Sequence, residues 1–226
     1  MEFAEWEPIY ESILADFGYG RAGDEAARDE LAAVAEPFDE SRLDCAGQTV
    51  AVAGAGPSLE SELDRARSAD LVFAASTATD RLTAAGVEVD AMVTDLDKNP
   101  ETVVARTTRG APTVVHAHGD NRDLLAEYLP RIDTEHLLGT TQAAPAGPVV
   151  DYGGFTDGDR AAFLADELGA ARLRFLGWDF DDPSVTGPKA RKLWWAERLL
   201  ELLERRRGRQ FAVLDGRRGE IERIDR

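Results

Sequence analysis

Seven short apolar runs alternate with stretches of helical periodicity, and this alternation limits the possible folds more than any other feature of the chain. The runs span residues 49–53, 71–75, 91–94, 113–117, 137–142, 172–176 and 211–214. The helical stretches span 3–17, 24–35, 79–85, 101–107, 121–128 and 189–207, with two more opening at Leu59 and within 153–160, the latter running to Leu168. Strands separated by single helices predict a mostly parallel sheet covered on both faces. The expected fold is therefore α/β, with a Rossmann-like three-layer sheet. Phe3, Trp6, Ile9, Tyr10, Ile13, Leu14 and Phe17 recur at helical steps before any strand, so residues 1–47 read as a small helical N-terminal part. Residues 48–226 read as the α/β catalytic domain, with a C-terminal helix at 189–207 and a loose hairpin or tail at 216–226.

The termini of two central runs draw chemical attention. Residues 91–93 lead into Thr94-Asp95-Leu96-Asp97-Lys98-Asn99-Pro100, and residues 113–115 into His116-Ala117-His118-Gly119-Asp120-Asn121. Ligands of α/β proteins bind outside the carboxyl ends of parallel strands. Asp95 and Asp97 lie two apart, which on an extended segment puts both carboxylates on one side, with Leu96 opposite. Asp120 could add a third, or cap a helix with Asn121. Oxygen ligands of this kind suit Mg²⁺ shared with substrate phosphates. His118 is a candidate phosphate donor or a satisfied core histidine. Zinc is disfavoured, because two histidines have no nearby cysteine to complete a site.

Glycine turns supply the second class of candidates. Gly54-Ala55-Gly56-Pro57-Ser58 joins a strand to a helix, a form that can cradle phosphate or serve only as a tight turn. Pro57 suits a first helical turn, and Ser58 can cap it. The third glycine of a dinucleotide fingerprint and any Walker-type lysine are missing. Gly153-Gly154-Phe155-Thr156-Asp157-Gly158-Asp159-Arg160 opens another helix, where Thr156 and Asp159 have capping-box spacing with Asp in place of Glu.

Charge narrows the class further. The net charge is −17, from 43 acidic and 26 basic residues, and only Lys98, Lys189 and Lys192 are lysines. An acidic, lysine-poor composition points to a high-salt cytosol that screens self-repulsion, and it argues against nucleic acid as a partner. Where arginine is the usual base, Lys189 and Lys192 stand out as compact charges for phosphate. No apolar run approaches a membrane span, and the single Cys45 rules out an internal disulfide. A cytoplasmic location follows as the expectation, and a homo-oligomer is allowed. Carboxylates for Mg²⁺, glycine turns for phosphate and lysines for developing charge make up the equipment of phosphoryl-type transfer.

Gly54-Ala55-Gly56-Pro57-Ser58, Thr94-Asp95-Leu96-Asp97, His116 to Asn121, Gly139-Thr140-Thr141-Gln142 and Gly153 to Arg160, in this order, resemble the archaeal 6-hydroxymethyl-7,8-dihydropterin diphosphokinase family. The resemblance covers roughly residues 48–195. It implies transfer of diphosphate from ATP to a reduced pterin, with release of AMP, toward folate-type or methanopterin-type cofactors. It further implies Mg²⁺ on Asp95, Asp97 and Asp120, and nucleotide or diphosphate on Gly54, Gly56, Pro57, Ser58, Gly153, Gly154, Thr156 and Asp157. His118 and Asn121 would assist in binding, Lys189 and Lys192 would stabilise the transferring group, and Asp179 or Gln142 would bond the pterin. The family often has glycine after the second aspartate, where this chain has Lys98. A thiamine-type diphosphokinase and a nucleotide-binding module without turnover remain as alternatives.

Overall fold

The computed structural model describes residues 1–224. In chain order its regular elements are α1 (Phe3–Phe17), α2 (Arg21–Ala32), β1 (Thr49–Ala53), α3 (Leu63–Arg67), β2 (Leu71–Ala75), α4 (Ala78–Ala84), β3 (Ala91–Thr94), α5 (Pro100–Thr108), β4 (Thr113–Ala117), α6 (Arg122–Tyr128), β5 (Leu137–Thr141), α7 (Asp157–Glu167), β6 (Arg172–Leu176) and α8 (Gly187–Arg207). Short 3₁₀ turns occupy Leu59–Glu62, Gly119–Asn121 and Ala212–Leu214, among others. The parallel α/β class is borne out, because every described strand lies in parallel ladders.

Contacts divide the chain into two compact units, Met1–Asp44 with Asp90–Gly153 and Cys45–Val89 with Gly154–Arg226. The division therefore does not fall at residue 47, and the N-terminal helices cluster with residues 90–153. In that unit β4 lies between β3 and β5, registered Val93↔Val114 and Val114↔Leu138. All five residues of β4 and of β5 are buried, as expected for strands covered on both faces. Ala27 and Leu31 of α2 pack with Met92, Leu96, Val115, Leu125 and Val149. Each such leucine contributes about 1.5–3 kcal/mol by leaving water. Helix α1 turns Trp6, Ile9, Tyr10, Ile13 and Leu14 inward and stops at Gly18, whose φ of +69° closes the helix in the left-handed region.

In the second unit β1 lies between β2 and β6. The chain leaves β1 toward β2 on one side and returns as β6 on the other. The carboxyl ends of β1 and β6 thus form a topological switch point, where open α/β sheets place ligands. Ala51, Ala53, Leu59, Val72, Leu82 and Leu176 form the core beneath it.

Several boundaries differ from expectation. Helix α2 begins at Arg21, three residues early, with Asp24 inside it. The apolar run 211–214 is a 3₁₀ turn at Ala212–Leu214, not a strand. Its backbone is satisfied locally, with Leu214 N donating to Phe211 O, and a short apolar run does not by periodicity distinguish strand from helix. Residues 216–220 are turns, and 221–224 have no regular structure, so no hairpin is found there. The last two residues of the expected tail lie outside the described residues.

Candidate functional site

Strand β3 ends at Thr94, and the segment beyond it is not extended as the spacing suggested. Leu96 has φ of +69°, a left-handed conformation uncommon for a branched side chain. The turn is fixed from both sides. Leu96 N donates to Thr94 Oγ1 at 3.0 Å, and Asp97 N donates to Asp95 Oδ1 at 3.3 Å. Leu96 is fully buried in the core of the first unit. That burial offsets the roughly 1–3 kcal/mol of backbone strain and leaves both aspartates at the surface end of the strand. Partial burial, then the nearby Asp95 charge, push the Asp97 carboxyl above its ordinary value, against the pull of its hydrogen bond from Lys98 Nζ at 2.9 Å. Two neighbouring carboxylates at one strand end fit a shared Mg²⁺, which commonly takes one or two carboxylates plus phosphate oxygens.

The end of β4 braces this turn. Asn121 Nδ2 donates to Asp95 O at 2.9 Å and to His116 O at 2.7 Å, while its Oδ1 accepts from His118 N at 3.0 Å. Its amide hydrogens are spent on backbone, so this buried residue holds the loops together instead of facing a ligand. His118 Nδ1 accepts from Asp120 N at 3.3 Å, and Nε2 lies 3.4 Å from Asp95 Oδ2. An accepting Nδ1 fixes the tautomer with hydrogen on Nε2, which donates to Asp95. His116 is a core histidine, with Nδ1 3.1 Å from Thr140 Oγ1. Asp120 does not join the aspartate pair. It is exposed and lines a surface groove with Glu30, Arg122 and Asp123. Among the described residues the one cluster with three ligand atoms in mutual reach is the surface group Asp133, Glu135 and His136.

The sequence reading missed Asp24. It is 4% exposed and accepts three hydrogen bonds: from Gly119 N at 2.7 Å, Tyr10 Oη at 2.7 Å and Gln142 Nε2 at 2.8 Å. Gln142 is therefore held inside the first unit by α2, not presented to a pterin, and its carbonyl accepts from Trp6 Nε1 at 2.9 Å. Asp24, Ala27 and Leu31 all face inward on α2. An acid on that otherwise apolar stripe was the available signal.

At the switch point of the second unit the glycine turn is closed by protein, not open to phosphate. Gly54 N donates to Leu176 O at 2.8 Å, and Gly56 N to Gly177 O at 2.9 Å. Ser58 N and Oγ both donate to Asp179 Oδ2, at 2.9 and 2.8 Å. The Ser58 hydroxyl thus meets Asp179 and makes no helix cap. A Cβ on Gly54 would meet Gly177 O at 2.6 Å, and one on Gly56 would meet Asp179 Oδ2 at 2.3 Å. These glycines serve close approach of one turn to another. Beside them lies a cavity of about 430 Å³ lined by Pro57, Trp178, Asp179, Phe180 and Arg217. The Trp178 indole donates to Val52 O at 3.1 Å and overlies Gly158, where a Cβ would meet the ring at 2.7 Å.

The helix α7 entrance matches its expected capping. Asp159 Oδ1 accepts from Thr156 N at 2.5 Å and Thr156 Oγ1 at 2.8 Å. The Thr156 hydroxyl is thereby turned toward its own helix. Asp157 pairs with Arg160 at 3.2 Å, both largely buried. Gly153 and Gly154 have φ of +87° and +95°, conformations open only to glycine at low cost. Lys189 is exposed in the first turns of α8, and Lys192 Nζ stands 5.9 Å from the Phe155 ring centroid.

A family model described as 6-hydroxymethylpterin diphosphokinase MptE-like matches residues 27–184. A protein of Methanothermobacter thermautotrophicus named 6-hydroxymethyl-7,8-dihydropterin pyrophosphokinase is 41% identical, over 91% of this chain and 96% of that protein. Proteins of the same name from Pyrococcus furiosus and Methanocaldococcus jannaschii are 37% and 31% identical, over 90% and 80% of this chain and 95% and 80% of their own lengths. By match length and identity, the chain belongs to the 6-hydroxymethylpterin diphosphokinase MptE-like family.

Proposed function

We propose that this chain transfers the terminal diphosphate of ATP to the hydroxymethyl group of 6-hydroxymethyl-7,8-dihydropterin. The observation behind the reading is the 41% identity, across nearly the whole of both proteins, to a relative bearing that substrate in its name. In the reaction the hydroxymethyl oxygen attacks the β-phosphorus, the bond from that phosphorus to the α-phosphate bridge oxygen breaks, AMP leaves, and the hydroxyl proton is lost. Such transfers depend on positioning and charge neutralisation more than on covalent chemistry.

In the first unit Asp95 and Asp97 are the residues that would hold Mg²⁺, which neutralises charge on the phosphates when bound. His118 orients the Asp95 carboxylate through its Nε2 hydrogen, and Asn121 fixes the Asp95 backbone. Asp120, outside the pair, is left a role through water at most. In the second unit the cavity beside Asp179 combines the faces of Trp178 and Phe180 with a carboxylate. That chemistry suits a flat heteroaromatic ring carrying amino groups, and it supports Asp179 over Gln142 as the pterin contact. Lys189 and Lys192 remain the candidates for charge on the transferring group, and Gly153 and Gly154 remain candidates for the phosphates. The acidic, lysine-poor surface suits a high-salt cytoplasm, and no described helix is long and apolar enough to cross a membrane.

The test is AMP formation in molar potassium chloride with ATP, Mg²⁺ and the reduced pterin. AMP that requires the pterin, and falls at least about a hundredfold in Asp95→Ala and Asp97→Ala, matches loss of transition-state charge stabilisation. AMP formed with thiamine in place of the pterin would move the assignment to that substrate. ATP binding without AMP would leave a non-catalytic nucleotide module.

A further inference from the structure

We infer that Asp24 of α2 is a positioning residue for the Asp95 turn, acting through the backbone of Gly119. The chain of contacts lies wholly within the first unit. Asp24 Oδ1 accepts from Gly119 N at 2.7 Å. Gly119 opens the 3₁₀ turn whose cap is His118 and whose last residue is Asn121. His118 Nε2 then faces Asp95 Oδ2 at 3.4 Å, and Asn121 Nδ2 donates to Asp95 O at 2.9 Å. One buried carboxylate thereby fixes the loop that holds both the side chain and the backbone of Asp95.

Three features argue that this is more than a satisfied helix residue. The first is the alignment of the charge: the second oxygen is fully engaged by Tyr10 Oη and Gln142 Nε2, so the first is held in one direction, toward Gly119. Hydrogen bonds to an ionised acceptor are about twice as strong as neutral ones. The second is the docking of α2 itself. A Cβ on Gly23 would lie 3.2 Å from the Gly119 Cα, and a Cβ on Gly119 would lie 3.2 Å from the Gly23 Cα. Helix and loop meet backbone to backbone, at a spacing that side chains would increase. The third is Tyr10, which is fully buried, with its hydroxyl pushed far up by burial and by the Asp24 hydrogen bond and charge. It stays a donor at every working pH and keeps the carboxylate in place. The N-terminal helices thus gain a stated task, the placement of a cation-binding carboxylate from behind.

The inference rests on the diphosphotransfer reading only for its activity arm, so the experiment has two further readouts. Asp24→Ala, Gly23→Ala and Tyr10→Phe would be compared with the natural protein in molar potassium chloride. Gly119 amide hydrogen exchange reports the bond directly, and titration with Mg²⁺ alone, read by calorimetry, reports the Asp95 turn. Asp24→Ala is expected to speed Gly119 exchange at least tenfold and to weaken Mg²⁺ binding at least fivefold. In the assay it should raise the Mg²⁺ needed for half-maximal rate by the same factor, with kcat at saturating Mg²⁺ within threefold. Tyr10→Phe removes one of the two partners of Asp24 Oδ2 but leaves Gln142 Nε2 on it and keeps the Gly119 bond, so it should lose stability and weaken Mg²⁺ binding less than Asp24→Ala does. Should Asp24→Ala fail to fold, Gly23→Ala, a favourable change within a helix, must weaken Mg²⁺ binding by prising α2 from the loop. Mg²⁺ affinity unchanged in Asp24→Ala or, failing that, in Gly23→Ala overturns the inference. So does a loss in Tyr10→Phe equal to that in Asp24→Ala. If the natural protein forms no AMP with any substrate, the functional reading falls, and exchange and Mg²⁺ binding still decide the role of Asp24.

Discussion

The side-chain amide of Asn121 donates to the main-chain carbonyl of Asp95 at 2.9 Å, so the loop after β4 holds the loop after β3. The same nitrogen donates to His116 O at 2.7 Å. Asn121→Ala would leave two carbonyls short of a donor and should cost about 2–4 kcal/mol of stability. Asn121→Asp is the sharper variant. It keeps the acceptor for His118 N but cannot donate, and it brings a negative charge against two carbonyl oxygens. Both variants should lose activity beyond their loss of folded protein, measured as the rate per folded molecule after denaturant titration. A full rate per folded molecule in either would show that the Asp95 backbone is held by other contacts.

Lys98 Nζ sits 2.9 Å from Asp97 Oδ2 on a half-exposed pair. A cation on Asp97 must compete with that ammonium group. Lys98→Gln is therefore expected to raise Mg²⁺ affinity, by a factor of up to about five, because exposed ion pairs contribute at most about 1 kcal/mol. Calorimetric titration with Mg²⁺ alone decides it. Weaker Mg²⁺ binding in Lys98→Gln would mean that the lysine orders the carboxylate instead of competing for it.

The glycine turn after β1 makes a prediction opposite to that of a phosphate cradle. Gly56→Ala puts a Cβ 2.3 Å from Asp179 Oδ2 and 2.6 Å from Gly177 O. One obstacle is a carboxylate clamped by Ser58 and the other is backbone, so the strain should cost about 3 kcal/mol. Ser58→Ala removes one hydroxyl and keeps the N–H bond to Asp179, for about 1 kcal/mol. Thermal unfolding without any nucleotide should already rank the two variants in this order. If Gly56→Ala unfolds like the natural protein and only ATP binding suffers, the turn belongs to the phosphates after all.

These cases show which parts of the molecule could be read from the sequence. The strands were legible because β-branched and small apolar residues repeat in buried runs such as Thr113-Val114-Val115. The place of Asp95 and Asp97 just past a strand end was legible from the apolar run before them. The conformation of Leu96 was not, since a leucine at positive φ is held by its burial and by the Thr94 and Asp95 side chains, none of which shows in a local pattern. Gly54 and Gly56 announced a close approach of backbone, but a glycine cannot say whether the approaching atom belongs to a phosphate or to Gly177. Asp24 stood at the start of the expected helix with no assigned role, because the residues that meet on it, Tyr10, Gly119 and Gln142, lie apart from it in sequence. Asn121 was read as a cap or a binding residue for the same reason, because its partners Asp95 and His116 come from the loop after β3 and from β4.

Two buried carboxylates in the second unit should give stability profiles of opposite slope. Asp159 is fully buried, and its Oδ2 has no hydrogen-bond partner among the described residues. Burial pushes its carboxyl above the ordinary value, against the hydrogen bond from Thr156 and the charge of Arg160. For such a group the folded state binds the proton more tightly than the unfolded state, so its contribution is complete below the unfolded value near 3.9 and declines as pH rises through the raised folded value. Glu204 is the reverse. Burial would raise it, but hydrogen bonds from Arg218 and Phe211 N win and hold it below its ordinary value. Arg218 grips it with Nε on Oε1 at 2.7 Å and Nη2 on Oε2 at 2.8 Å. Its contribution is complete above the unfolded value near 4.3 and disappears as pH falls through the depressed folded value. Unfolding free energies between pH 3 and 7 test both signs. Glu204→Gln, which takes one charged partner from Arg218 and leaves it Asp215 and the Phe211 carbonyl, should cost about 1.5–3 kcal/mol at pH 7, with the gap to the natural protein closing toward pH 3. Asp159→Asn should gain on the natural protein as pH rises from 4, because only the natural chain must ionise or retain a buried proton there. An Asp159→Asn variant that instead loses ground on the natural protein as pH rises would show the carboxylate charged and well paired with Arg160 in the folded state.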